Sequence, residues 1–208
     1  MIDNYEYYKS LGVKGIQSCI VRENVIENDN PYLVDNDIAV EEVLEYIDYW
    51  IHDTDSPIRD EYLIRHIQRL LGRIHLCEDI YCIGGWLIMD PLGNVGFCGH
   101  NLLEDHIVNI RDIENYNDII THPKYLKSIS KQRTLVESCK GCTRYRVCYG
   151  ACLGLNYEHN SNYEEVNPRN CEYTKNLLSG IYELIKDIDV SRRDLYNPLF
   201  LELLEDNN

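Results

Sequence analysis

The chain has 208 residues, of which 44% are hydrophobic, and a formal net charge of −15. This length suits one domain or one and a half, and the acidic surface would repel nucleic acid and anionic membranes, so we expect neither as a partner. No stretch approaches the ~20 apolar residues of a membrane span, and the polar N-terminus is unlike a signal peptide. We therefore expect a cytoplasmic protein whose thiols stay reduced.

The first residues predict a helix followed directly by a strand. Residues 4–11 have the character of a helix end with Gly12 as the C-cap, and 15–21 predict a strand. Residues 22–37 are rich in Asn, Asp and Glu and predict a loop, in which Asp37 would cap the next helix. One helix and one strand cannot bury a sheet, so this segment needs another element to pack on.

Two amphipathic helices are predicted next. Apolar residues recur at helical spacing over 40–51, and again over 60–71 after a break at 53–59. Gly72 is expected to end the second helix. Further on, apolar runs on either side of a Pro-Leu-Gly-Asn turn predict a β-hairpin over 85–98.

The second half of the chain predicts helices around a loop rich in cysteine. Residues 110–129 have helical character with a break near Pro123, and 139–152 predict the cysteine loop. A clear amphipathic helix is predicted over 172–188, and the tail, 191–208, predicts a short helix. The loop also holds the cations Lys140, Arg144 and Arg146, which are unusual in so acidic a chain.

Nine cysteines dominate the chemistry of the chain. Five follow the spacing Cys139-x2-Cys142-x5-Cys148-x3-Cys152-x18-Cys171, and an upstream set reads Cys77-x4-Cys82-x10-Gly93-x4-Cys98. Cysteines two and three residues apart can turn their sulfurs toward one metal centre, and clustered thiols in a reducing compartment favour metal over disulfides. The eight thiolates suffice for two four-cysteine sites. The ninth cysteine, Cys19, is interpreted as a buried thiol. Iron–sulfur clusters, structural zinc and free core cysteines are the open interpretations.

The pattern Cys-x10-Gly-x4-Cys, then Cys-x2-Cys-x5-Cys-x3-Cys and a last Cys, resembles the SPASM domain, the C-terminal part of many radical SAM enzymes that modify peptides and proteins. Anaerobic sulfatase-maturating enzymes are the members most similar in layout. The resemblance implies two auxiliary 4Fe–4S clusters. The first would be held by Cys77, Cys82, Cys98 and Cys152, and the second by Cys139, Cys142, Cys148 and Cys171.

The resemblance also implies an architecture. We expect an α+β, SPASM-like fold in which a small β-hairpin and helices surround the two clusters. The SPASM iron–sulfur domain would occupy 77–190, a helical linker would occupy 37–76, and the tail 191–208. Residues 1–36 would be a remnant helix and strand from the end of a partial (βα) barrel, the radical SAM barrel of the family.

The chain departs from the family at two points. It has no Cys-x3-Cys-x2-Cys motif, and only 76 residues precede Cys77, whereas a full eight-fold barrel takes ~250 residues. We therefore expect no residues that bind S-adenosylmethionine and no catalysis by this chain alone. The second departure follows Cys98, where sulfatase maturases have an aspartate taken to remove the substrate proton. This chain has Gly99 and then His100.

Two functional classes remain at this point. The first is an accessory module for electron transfer and substrate positioning, partnered by a radical SAM barrel protein and a peptide or protein substrate. The second is a non-catalytic peptide-binding or scaffold protein whose clusters, or zinc ions, are structural. A truncated fragment without function is a third interpretation.

Overall fold

The structure is a computed structural model, and it describes residues 1–18, 34–73, 86–97, 106–148, 150 and 166–205. Several predicted features lie outside these residues: Cys19, Cys77, Cys82, Cys98, Gly99, His100 and Cys152. The chain divides into two compact units. Unit 1 comprises Met1–Arg22, Pro31–Ile74 and Tyr173–Asn208, and unit 2 comprises Glu23–Asn30 and His75–Glu172. The domain bounds predicted from the sequence stay predictions.

The described elements follow one another in this order: α1 (Ile2–Ser10), β1 (Gly15–Ile16), α2 (Asn36–His52), β2 (Arg59–Asp60), α3 (Glu61–Leu70), β3 (Ile88–Met89), β4 (Asn94–Gly96), β5 (Val108–Asn109), a 3-10 turn (Ile110–Asp112), α4 (Tyr116–Ile120), α5 (Pro123–Cys139), α6 (Tyr145–Cys148), α7 (Pro168–Ile185), a second 3-10 turn (Arg193–Leu195) and α8 (Pro198–Glu205). The fold is mostly helical α+β with small sheets, as the sequence predicts at that level.

Helix α2 supplies the central face of unit 1. Val43, Ile47 and Trp50 have no exposed surface, and the Trp50 indole Nε1 donates a 2.8 Å hydrogen bond to the Ile58 carbonyl. The predicted cap at Asp37 is wrong. Asp35 is the N-cap, since its side chain accepts a hydrogen bond from the Asp37 amide, and Asp37 lies in the first turn, where its charge suits the helix dipole.

The two strands of unit 1 form a parallel pair, with Gly15 opposite Arg59 and Ile16 opposite Asp60. Helix α2 lies between them in the sequence, as parallel strands require a long crossover. The predicted strand 15–21 is shorter where it is described, because Gln17 and Ser18 are not paired. The core is completed by side chains from α1, α3, α7 and α8: Tyr5, Leu63, Ile67, Tyr173, Leu177, Ile181 and Phe200.

Unit 2 contains the predicted hairpin and a third strand that the sequence does not reveal. Strands β3, β4 and β5 form an antiparallel sheet in which Met89 faces Val95 and Val95 faces Val108. The turn needs Gly93, whose φ is +87°. A Cβ there would lie 2.9 Å from Ile110 Cγ2, too close without movement. The core of this unit is Val95, Phe97, Ile107, Ile119 and Leu135.

The helices of unit 2 agree with the prediction near Pro123 and differ from it at the cysteines. The predicted break is present, since α4 ends at Ile120 and Pro123 begins α5, where a proline at the first helical position loses no hydrogen bond. Helix α5 then continues to Cys139. The segment 139–152, predicted as a loop, therefore starts at the last residue of α5 and contains the short helix α6. The helix predicted over 172–188 is present as α7, and the tail contains α8.

Candidate functional site

The four cysteines predicted to hold the second cluster all lie in described parts of unit 2. Cys139 is the last residue of α5, and a single turn leads to Cys142, whose amide donates a 2.9 Å hydrogen bond to the Cys139 carbonyl. Tyr145 in turn donates to the Cys142 carbonyl at 3.0 Å. The Cys-x2-Cys spacing therefore folds as a compact, hydrogen-bonded turn at a helix end.

The next cysteine follows on α6. The Cys148 amide donates to the Arg144 carbonyl at 2.9 Å, so Cys148 closes this short helix. Gly150 then adopts a φ of +92°, and a Cβ there would lie 3.9 Å from the Cys139 sulfur. The backbone after Cys148 therefore returns to the sulfur at the end of α5.

Cys171 lies on a separate segment. It lies in the first turn of α7, where its amide donates to the Asn167 carbonyl at 2.9 Å. The Asn167 side chain accepts hydrogen bonds from the amides of Arg169 and Asn170 at 2.9 and 3.2 Å, which holds this helix start.

The donor chemistry of these four residues fits a four-thiolate metal site. Each cysteine is free of a disulfide and partly buried. Their arrangement is not a preformed cage, since the described residues contain no group of three or more His, Cys, Asp or Glu side chains placed to hold a metal ion. The ligand assignment thus stays a prediction, and so does the first set, which lies outside the described residues.

The three cations of the cysteine loop have different surroundings. Lys140 pairs with Glu137, and this hydrogen bond raises the pKa of Lys140. Arg144 is partly buried and Arg146 is exposed. Only these two arginines therefore retain an uncompensated positive charge beside the cysteines in the part of the chain that the structure describes.

Sequence reasoning missed two buried carboxylates in unit 1. Asp60 has no exposed surface and accepts hydrogen bonds from the Ser18 and Tyr46 hydroxyls at 2.6 and 2.8 Å, and from the Tyr62 amide at 2.9 Å. These bonds connect the end of β2 with the segment after β1 and with α2. The sequence did offer one signal for Asp60. It directly precedes an amphipathic helix, and acidic residues at that position often cap helices.

The second carboxylate, Asp53, binds a cation and a phenol. Lys9 donates to its two oxygens at 2.7 and 2.8 Å, and the Tyr5 hydroxyl donates at 2.6 Å. Burial, and then the hydrogen bond to Asp53, raise the pKa of Tyr5 well above its ordinary range. Both carboxylates are satisfied by groups of the same unit, so we interpret them as structural links between elements.

Comparison with solved structures finds a similar fold in part of anSMEcpe, a radical SAM/SPASM anaerobic sulfatase-maturating enzyme. The structure of native anSMEcpe with bound AdoMet matches with a TM-score of 0.68 and 20% identity, over 88% of this chain and 51% of that chain. The complex with AdoMet and the Kp18Cys peptide matches with a TM-score of 0.63 and 20% identity, over 88% of this chain and 52% of that one.

This likeness is one of fold, and the chain spans about half the length of the enzyme that it resembles. No family model and no curated protein matches the sequence. Among the described helices, none is long and apolar enough to span a membrane.

Proposed function

We propose that this chain is a SPASM-like iron–sulfur module that binds two auxiliary 4Fe–4S clusters. The observation that carries the proposal is the fold likeness to a radical SAM/SPASM enzyme over 88% of the chain, in a sequence that also has the eight cysteines of that domain type. The second cluster would use Cys139, Cys142, Cys148 and Cys171, and the first would use Cys77, Cys82, Cys98 and Cys152. Bound clusters of this type supply one-electron transfer.

The chain's own residues would position these ligands. The turn between Cys139 and Cys142 holds two adjacent thiolates, and the backbone at Gly150 lies against the first of them. Cys171 would join from the start of α7. A cluster here would therefore link three segments of unit 2, as structural metal sites do when they contribute to folding.

The biological role that we propose is electron transfer and substrate positioning for radical SAM-dependent modification of a peptide or protein. The barrel that performs the radical chemistry would lie outside these 208 residues, since they contain no Cys-x3-Cys-x2-Cys motif. Co-purification of the intact chain with a barrel-bearing radical SAM protein tests this partnership. Failure to associate under anaerobic conditions with both proteins loaded with clusters would count against it.

Anaerobic reconstitution with iron and sulfide tests cluster binding itself. We expect about eight iron atoms per chain, from two clusters of four. The double variant Cys139→Ser/Cys142→Ser should retain about four iron atoms, because the first set is intact, whereas the matched control Cys19→Ser should retain about eight. A colourless protein with stoichiometric zinc and no iron would overturn the cluster assignment.

Redox measurements separate an electron-transfer role from a structural one. Reconstituted protein titrated with dithionite and followed by electron paramagnetic resonance should show reversible reduction of both clusters. Clusters that bind but stay redox-silent in the accessible range would favour the scaffold alternative, in which the metal supports a peptide-binding surface.

A further inference from the structure

A cavity of about 240 Å³ lies in unit 1, beside the point where strand β1 ends. Its walls include one face of α1, the two residues directly after β1 and one residue of α2: Asn4, Tyr5, Tyr8, Gln17, Ser18 and Tyr46. In open α/β sheets, ligands bind outside the carboxyl ends of parallel strands, which is the position of this cavity. It is smaller than the ~300–1,000 Å³ of sites for drug-sized ligands, so it suits a single side chain or a small molecule.

Two hydroxyls of the cavity wall are available to a ligand only as hydrogen-bond acceptors. Ser18 and Tyr46 donate their protons to the Asp60 carboxylate at 2.6 and 2.8 Å, which leaves the lone pairs of their oxygens for another group. Asp60 ends β2 and is fully buried, and the partners that the described residues give it are hydroxyls and backbone amides. The wall therefore offers acceptors backed by a buried negative charge, which the low local dielectric screens weakly.

Aromatic rings line the same cavity. The Tyr5 and Tyr46 rings meet edge to face with centroids 5.6 Å apart, and exposed Tyr8 adds a third ring from α1. The face of a tyrosine ring attracts cations. The ammonium of Met1, another lining residue, already pairs with Glu42 at 3.3 Å, so its charge is compensated. Rings and acceptors together favour a cation over an anion or a neutral group.

We propose that this cavity binds a primary alkylammonium group, carried by a lysine side chain of a polypeptide or by a small amine. An ammonium has three donors, enough for the hydroxyl oxygens of Ser18 and Tyr46 and the amide oxygen of Gln17. Its methylene stem can lie along the ring of Tyr8. An anion would be repelled by Asp60, and an apolar group would leave the hydroxyl oxygens unmet. The site uses no cysteine, so it goes beyond the function proposed above and does not depend on it.

Fluorescence anisotropy with the intact chain tests this inference. The probe is the peptide Gly-Gly-Lys-Gly-Gly, acetylated at its N-terminus and labelled at its C-terminus, so that lysine is its only amine. The comparison peptide carries Nε-acetyl-lysine, which keeps the stem and removes the charge. We expect the lysine peptide to bind about tenfold more tightly, because hydrogen bonds from a charged donor are lost on acetylation. Equal binding of the two peptides, or no binding of either, would overturn the proposal.

Competition against the labelled lysine peptide identifies the source of the ammonium. Displacement by n-butylamine, and not by n-butanol, would show that a small amine suffices. Displacement only by the unlabelled lysine peptide would assign the cavity to a polypeptide, and either result supports an ammonium site. Displacement by n-butanol as readily as by n-butylamine would contradict it.

Variants on exposed positions of α1 locate the binding site. Asn4→Lys places a cation in the cavity wall and should weaken binding of the lysine peptide about tenfold, whereas the control Ser10→Lys adds the same charge outside the cavity and should change it less than about twofold. Tyr8→Leu should weaken binding about threefold through the lost ring, and Tyr7→Leu, the neighbouring tyrosine outside the cavity, is its control. The tyrosine pair serves if Asn4→Lys does not fold. Equal losses in test and control variants would contradict the assignment.

Discussion

Tyr46 donates a 2.8 Å hydrogen bond to the carboxylate of Asp60, a side chain with no exposed surface. Among the residues that the structure describes, the partners of that carboxylate are two hydroxyls and two backbone amides, and none of them is a cation. A buried carboxylate of this kind depends on each donor, because an unmet hydrogen bond costs its full desolvation penalty. The Tyr46–Asp60 bond therefore links α2 to the end of β2, and its loss would lower the free energy of unfolding.

Replacing Tyr46 with Phe should destabilise unit 1 by about 1–3 kcal/mol, since it removes one donor from a buried charge. The matched control is Tyr49→Phe on the same helix, where the hydroxyl donates to exposed Glu6 and the ring is 38% exposed. That control should cost less than about 0.5 kcal/mol. Urea unfolding followed through Trp50 in a Trp86→Phe background measures both, and equal effects would contradict the prediction.

The raised pKa values of Tyr5 and Tyr46 predict a loss of stability at alkaline pH. Burial, and then the neighbouring carboxylates Asp53 and Asp60, raise the pKa of Tyr5 and Tyr46 far above the ordinary value of 10.0. Above pH ~10 the unfolded chain releases these protons while the folded chain keeps them. Their contribution is therefore complete below pH 10 and declines as pH rises through the folded pKa values, by up to about 1.4 kcal/mol per pH unit for each tyrosine.

Unfolding free energies measured between pH 8 and 11.5 test this expectation. Tyr46→Phe should make the decline above pH 10 shallower, because one of the linked protons is removed. A slope unchanged by this substitution would show that Tyr46 is not linked to folding.

Gly180 on α7 is predicted to be intolerant of even a methyl group. A Cβ at this position would overlap the Cδ1, Cδ2 and Cγ atoms of Leu44 on α2. Gly180→Ala should therefore destabilise the protein by about 1–3 kcal/mol, although alanine is the better helix former. Combining it with Leu44→Ala should restore part of the loss, since the smaller side chain removes the overlap. Thermal unfolding of the two single variants and the double variant tests this coupling. Strictly additive effects would contradict it.

Removal of metal should unfold the cysteine-containing region if the proposed clusters form. The four described cysteines come from the end of α5, the turn after it, α6 and the start of α7, so a cluster would join segments that the protein core does not otherwise bring into a ligand group. Chelation or exposure to air should reduce the helical circular dichroism of reconstituted protein and increase proteolysis within 77–172. A native-like melting curve of the apo protein would argue against this dependence.

The sequence by itself determined the elements whose signals are local. The apolar period of α2, α3 and α7 and the turn at Gly93 were readable because a helix face or a tight turn is specified within a few residues. The cysteine spacing likewise indicated a SPASM-like fold, and the fold is similar to part of anSMEcpe. Local signals were less decisive at boundaries, where Asp35 competed with Asp37 as the cap of α2.

Only the tertiary structure decided which distant residues meet. Strand β5 became visible through its pairing with β4, and Asp60 gained its role from Ser18 and Tyr46, residues far away in the sequence. The approach of Gly150 to the Cys139 sulfur is of the same kind. Such contacts depend on how whole elements pack and on burial that no short window records, so spacing alone predicted the chemistry of the cysteines but not their neighbours.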